Sequence, residues 1–170
     1  RYQLNNLNDR WRALEEEHDI ILIDTGAGLS NIVMNFILAA DDTLVISTSE
    51  PTSITDAYGV VKALSKHEQN LEIKLIINQA DNKEGNKIAK RLTKTAQEFL
   101  DLEIDLLGVL PEDRSVIKAV KKRRPFLLEY PNSKVAKRIK DLGAELIGQE
   151  KEKEAKGFTG FIKDVFGFSN

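Results

Sequence analysis

Asp24 follows an apolar run, Ile20-Ile21-Leu22-Ile23, and precedes a turn bracketed by two glycines, Thr25-Gly26-Ala27-Gly28. A carboxylate delivered at the carboxyl end of a buried strand can hold a magnesium ion through water. Gly26 and Gly28 let the backbone approach a terminal phosphate with no side chain in the way. The Gly-rich lysine loop that grips phosphates, G-x-x-x-x-G-K-[ST], is absent from the 170 residues. Two further apolar runs end in polar residues suited to a flat ring. Asn78, in Asn78-Gln79-Ala80-Asp81, offers a donor and an acceptor to the edge of a base. Pro111-Glu112-Asp113 can wall such a ring and hydrogen-bond it. The plainer reading of Asn78 and Asp113 is that they close turns. Glu50-Pro51-Thr52-Ser53-Ile54-Thr55-Asp56 follows another run and reads as a helix start whose polar rim can face a second subunit.

The elements that must position these residues alternate between two periodicities. An amphipathic helix is predicted from Leu4, Leu7, Trp11 and Leu14 to about Glu17. Ile20–Ile23, Thr43–Ile46, Ile73–Ile77 and Leu106–Leu110 read as four strands, the first two buried on both faces. Helices are expected over Ser30–Ala39 with Ile32, Val33, Phe36 and Ile37 inward, and from Ser53 or Thr55 as cap through Leu64. Another runs after Gly85 with Ile88, Leu92, Ala96 and Phe99 inward. A short one spans Ser115–Lys122, stopped by Pro125, and a last one starts at Ser133 with Val135, Ile139, Leu142 and Leu146 inward. Strands alternating with helices imply an α/β fold with a parallel sheet and helices on both faces.

Composition narrows the functions. Hydrophobic residues make up 41% and charged residues 31%, with a net charge of −2, so no global field draws nucleic acid. Cysteine is absent, which excludes disulfides, thiolate metal sites and cysteine nucleophiles. His18 and His67 lie far apart, against a metal site built on them. No apolar run approaches the ~18 residues of a membrane span. The start, Arg1-Tyr2-Gln3-Leu4, has no signal-peptide pattern and no initiating methionine, as in a piece of a longer protein. Lys121-Lys122-Arg123-Arg124 is the one concentrated basic run. It reads as a solvated helix terminus complementing the dipole, or as a docking patch for an acidic partner; without interleaved aromatics it argues against nucleic acid.

Asp24-Thr25-Gly26-Ala27-Gly28 resembles the switch II motif, Asp-[Ser/Thr]-x-Ala-Gly, of the MinD/ParA class of deviant Walker ATPases. Three further blocks resemble the flagellar branch of that class, the FlhG/YlxH/FleN regulators of flagellar number and placement. They are Glu50 through Tyr58, Gly108 through Asp113, and Arg124 through Ser133. The resemblance implies a P-loop NTPase-like parallel sheet and a homodimer formed around ATP and Mg²⁺. It places Asp24 on the Mg²⁺-associated aspartate and Gly28 near the γ-phosphate. Asn78 falls on the adenine-reading asparagine, Pro111, Glu112 and Asp113 on the adenine-side loop, and Glu50 and Asp56 toward the dimer face. It implies as partners an FlhF-like GTPase and flagellar switch components. The family's Walker A lysine loop and switch I aspartate precede the region matched by Arg1, so this chain by itself is expected not to hydrolyse ATP. Two other readings stand beside it: a cell-division MinD-type ATPase, which the Glu50–Tyr58 block argues against, and a non-enzymatic adaptor that binds partners without nucleotide.

The domain organisation follows: residues 1–149 form the ATPase-domain portion, 150–156 a charged linker, and 157–170 a terminal amphipathic helix. In that helix Phe158, Phe161, Ile162, Val165 and Phe166 share one face, which suits burial in a membrane interface or packing on protein. The implied location is cytoplasmic, peripheral on the inner face of the cell membrane.

Overall fold

The computed structural model describes residues 14, 17–67 and 72–148, and the backbone of 149 and 150. Leu4, Leu7 and Trp11, the charged stretch after Glu150, and the Phe158, Phe161, Ile162, Val165 and Phe166 face all lie outside the described residues. Leu14 and Glu17 are helical, and the His18 N–H donates to the Leu14 carbonyl at 3.1 Å.

Among the described residues three parallel strands make the sheet, in the order β1 (Thr43–Ser47), β2 (Ile73–Ile77), β3 (Asp105–Val109). Thr43 pairs with Ile73 and Ser47 with Ile77 in unbroken register. Between β2 and β3 the register shifts after Leu75, which pairs with Leu106 while Ile76 pairs with Gly108. Leu107 is the extra residue, and such a bulge bends the strand that carries it.

Helices cover both faces. α1 (Asn31–Ala39) precedes β1, α2 (Pro51–Leu64) joins β1 to β2, and α3 (Asn82–Leu100) joins β2 to β3. Val61, Leu64, Leu92 and Ala96 of α2 and α3 pack with Ile73, Leu75 and Ile77 in the larger core, joined by Met34, Ile37 and Leu38 of α1. After β3 come α4 (Arg114–Lys121), the single turn α5 (Phe126–Glu129) and α6 (Lys134–Glu150). Val135 and Leu142 of α6 build a second core with Ile76 and Leu107 on the other face. Alternation along β2 serves both cores at once, and all five of its residues are buried. One of the five is Lys74, whose Nζ meets Asp42 Oδ1 at 2.5 Å and Glu72 Oε2 at 3.6 Å.

Several expectations are corrected. Ile20–Ile23 forms no strand, because nothing among the described residues pairs with it; Leu22 is 81% exposed. Ile46 is exposed on β1, an edge strand among the described residues, so β1 is not covered on both faces. Ile32 and Phe99 are exposed as well, each one step off the buried stripe of its helix. Gly85 lies inside α3 rather than before it. A Cβ there would stand 2.5 Å from Val109 Cγ1, so the missing side chain lets α3 lie close on β3. Neither Ser53 nor Thr55 caps α2: Glu50 holds the cap position, Pro51 opens the helix, and the hydroxyls bond elsewhere.

Candidate functional site

Parallel strands put their carboxyl ends on one edge, and here the loops leaving that edge are laced together. The Asn78 N–H donates to the Ser47 carbonyl at 2.7 Å, the Leu110 N–H to Ile77 at 2.8 Å, and the Ala80 N–H to Leu110 at 3.2 Å. These bonds bring Glu50, Asn78 and Pro111–Asp113 to the same edge of the sheet.

Asn78 is half-buried, and its Oδ1 accepts from the Gln79 N–H at 3.0 Å. That bond supports Gln79 in the left-handed region, φ 57°, a conformation that costs a non-glycine residue about 1–3 kcal/mol. The carbonyl oxygen keeps a second lone pair, and the Nδ2 amide has no partner among the described residues. Asparagine therefore retains at this edge both functions that pair with an adenine edge. Asp81, two residues after Gln79, caps α3 by accepting from the Glu84 N–H at 2.9 Å.

Asp113 serves the fold first. Its Oδ1 accepts from the Ser115 N–H at 2.8 Å and so caps α4. That backbone bond holds its carboxyl below the usual range, aided by the Ser115 side chain and by the Val135 and Lys134 N–H groups; desolvation opposes the shift. Pro111 stays half-buried and Glu112 exposed beside it.

Glu50 and Asp56 are both exposed. The first turn of α2 is tied to β1 by the Ser53 hydroxyl, which bonds back to the strand end and does not cap the helix. Ser53 Oγ accepts from the Thr48 N–H at 3.0 Å and shares a 3.2 Å hydrogen bond with the buried Ser47 Oγ. The sequence signal is the cluster of five hydroxyls, Ser47, Thr48, Ser49, Thr52 and Ser53, around one strand end.

Asp24 and Gly28 are not brought into this laced edge. Residues 22–30 are all exposed, and no backbone bond joins 19–29 to the sheet among the described residues. Gly28 has φ +117°, which excludes ordinary side chains, and a Cβ at Gly26 or Gly28 would meet nothing within 4 Å. The turn is thus bare and open, as a phosphate approach requires. Among the described residues no group of three or more His, Cys, Asp or Glu could hold a metal by itself. A single carboxylate fits the way Mg²⁺ is commonly held, by one or two carboxylates together with phosphates. No described helix is long and apolar enough to cross a membrane.

Comparison with known proteins agrees with this architecture. No family model matches. The chain is 36% identical over 124 residues to the antiactivator FleN of Pseudomonas aeruginosa, covering 72% of this chain and 44% of FleN. It is 34% identical to the flagellum site-determining protein YlxH of Helicobacter pylori, covering 77% and 45%. It is 31% identical to the uncharacterised ATP-binding protein MJ0547 of Methanocaldococcus jannaschii, covering 95% and 60%. The fold matches the MinD cell division protein of Aquifex aeolicus with a TM-score of 0.58 at 22% identity, over 83% of this chain and 61% of that one. The chain belongs to the MinD/ParA family. It spans about half the length of the curated relatives it matches, from 44% to 60% in these three, and its sheet and helices are part of the MinD P-loop NTPase fold.

Proposed function

We propose that the chain is the carboxyl-terminal portion of a MinD-type ATPase that regulates flagellar number and placement by ATP-dependent dimerisation and membrane association. The observation that carries the nucleotide reading is Asn78: a half-buried amide with an unpartnered Nδ2, fixed at an edge where three strand ends are tied together. The flagellar reading draws on the similarity to FleN and YlxH. A cell-division role is the second reading, favoured by the 91% of this chain that aligns with Bacillus subtilis MinD at 30% identity.

In this reading Asn78 takes the adenine edge, with Pro111 and Glu112 as walls and Asp113 holding the loop by its cap. Asp24 holds Mg²⁺ through water, and the Gly28 backbone faces the γ-phosphate. Hydrolysis of bound ATP supplies the switch between monomer and dimer, with Glu50 and Asp56 toward the second copy. An FlhF-like GTPase and flagellar switch components are the proposed partners. The Phe158, Phe161, Ile162, Val165 and Phe166 face is a weak membrane anchor in the monomer that binds much better in the dimer, because the second contact becomes intramolecular.

Calorimetric titration of the full-length protein with ATP and with GTP tests the site. Asn78→Ala is expected to weaken ATP binding by about 1–3 kcal/mol, the worth of a bidentate amide–adenine pair. Equal affinity for GTP and ATP, or an unchanged Asn78→Ala variant, overturns the adenine assignment. Asp24→Ala is expected to abolish turnover with the fold intact; wild-type turnover defeats its role. Vesicle co-sedimentation of Phe161→Glu with and without ATP separates a nucleotide-gated anchor from a tail packed on protein.

A further inference from the structure

The carboxyl edge leaves one surface unexplained, on α4 and the turn that follows it. Residues 114–124 carry Arg114, Lys118, Lys121, Lys122, Arg123 and Arg124 with no acidic residue among them, in a chain whose net charge is −2. All six cations are exposed. Two are answered internally: Lys122 Nζ lies 2.6 Å from Glu129 Oε1, and Arg124 Nε lies 3.5 Å from Glu129 Oε2. Lys122 also sits over the Tyr130 ring, 5.4 Å from its centroid. Arg114, Lys118, Lys121 and Arg123 have no ion pair among the described residues. Beside them stand three aliphatic side chains in water, Ile117 at 53% exposure, Val120 at 69% and Leu128 of α5 at 73%.

Capping of the helix dipole does not account for this arrangement. Cations favour the last turn of a helix, whereas Arg114 occupies the first. Nor does the dipole concern aliphatic residues. Helical geometry sorts the exposed positions into two adjoining stripes. Arg114, Lys118 and Lys121, at i, i+4 and i+7, form one; Ile117 and Val120, at i and i+3, form the other. The opposite side is pinned down, with Ala119 buried and Val116 packed on the second core. The Asp113 cap at one end and the Lys122–Glu129 pair at the other fix the helix between them. The surface is therefore held in one orientation before anything binds it.

We propose that this face docks an acidic amphipathic helix of a partner protein. Three unpaired cations in one stripe, with Arg123 just beyond the helix end, complement an anionic partner. The adjoining aliphatic stripe requires apolar anchors at helical spacing, the pattern of a helix laid along a groove or face. Eight residues of α4 span about 12 Å, or two turns of the partner. A membrane fits less well, since a short, pinned helix cannot roll its few aliphatic residues into the acyl region. Nucleic acid fits less well because the nearby rings are already engaged, Tyr130 under Lys122 and Phe126 against the second core, and so are not free to stack on bases. The proposal does not depend on the nucleotide reading.

The test uses the full chain and a synthetic peptide of about 18 residues, long enough to become helical on a surface, with leucines on one face and Glu or Asp on the other. Controls are a scrambled peptide of the same composition, phosphatidylglycerol vesicles and a short DNA duplex. Fluorescence anisotropy is expected to show salt-sensitive binding of the patterned peptide and at least several-fold weaker binding of the scramble. The double variant Lys118→Glu/Lys121→Glu is expected to weaken it about tenfold, the sum of two exposed pairs lost and reversed. Val120→Ser is expected to weaken it several-fold at unchanged charge. All three positions are exposed, so the variants are expected to melt with the wild type. The proposal is overturned if the patterned peptide does not bind, if the scramble binds equally, if the variants bind it as the wild type does, or if vesicles or DNA bind through these residues in its place.

Discussion

Ile73-Lys74-Leu75-Ile76-Ile77 and Ile20-Ile21-Leu22-Ile23 are built from nearly the same side chains. The first is β2, bonded to a strand on each side and covered by helices on both faces, with Leu75 fully buried. The second has no partner strand among the described residues and leaves Leu22 in water. A strand is a relation between segments. Its backbone groups need neighbours to bond and its side chains need layers to cover them. The same contrast separates the two halves of the candidate site. Asn78 is held by the sheet it terminates, whereas Asp24 and Gly28 depend on a segment that the described sheet does not bind.

The contrast can be broken most directly by truncation. Leu75→Ala is expected to cost about 2–5 kcal/mol, the range for deleting a fully buried leucine. Leu22→Ala in the same chain is expected to stay within about 0.5 kcal/mol, as exposed substitutions do. Urea unfolding of both variants reads the difference, and a costly Leu22→Ala would show that the run is covered after all.

A second pair sharpens the role of close packing around the sheet. A Cβ at Gly85 would strike Val109 Cγ1 at 2.5 Å and Cγ2 at 2.7 Å, and a β-branched side chain on a strand cannot turn away. Gly85→Ala is expected to destabilise by about 1–3 kcal/mol despite the helix propensity it gains. At Gly108 the obstacles are Leu142 Cδ2 at 2.6 Å and an Arg138 guanidinium nitrogen at 2.7 Å, both ends of flexible side chains. Thermal melts are expected to place Gly108→Ala well above Gly85→Ala, and the reverse order would refute the packing account.

The smallest effects lie in the charged loops that frame the edge, and they are read against pH. Asp113 has its folded pKa lowered, first by the Ser115 N–H. Its contribution to stability is present above the unfolded pKa and is lost as pH falls through the folded one. Asp113→Ala is expected to lower the Tm at neutral pH, with the gap to wild type closing in acid. Glu129 is lowered in the same way, chiefly by its hydrogen bond from Lys122. Glu129→Gln is expected to behave likewise with a smaller gap, since the pair is partly exposed. Lys122 is raised, first by the Glu129 hydrogen bond. Its share is present below its unfolded pKa and disappears as pH rises through the folded one. A gap that persisted in acid would assign these residues a packing role instead of a charged one.

Residue type and spacing alone determined much of this protein. Apolar runs of four to five residues marked all three strands of the sheet within a residue or two. Pro51, Pro111, Pro125 and Ser133 marked the breaks, because fixed φ angles and short hydroxyl side chains act locally, before any tertiary contact. The MinD/ParA resemblance was legible in ordered motifs that need no coordinates. Tertiary structure alone decided which runs became strands, since a partner is not written in the run itself. It decided that Ser53 would bind back to Ser47 and Thr48 rather than cap its own helix, and that Asn78 would keep a free amide at the laced edge. It also decided that Ile32, Ile46 and Phe99 would face water, because the edge of a layer depends on what lies beside it, and an apolar residue at that edge has nothing to be buried against.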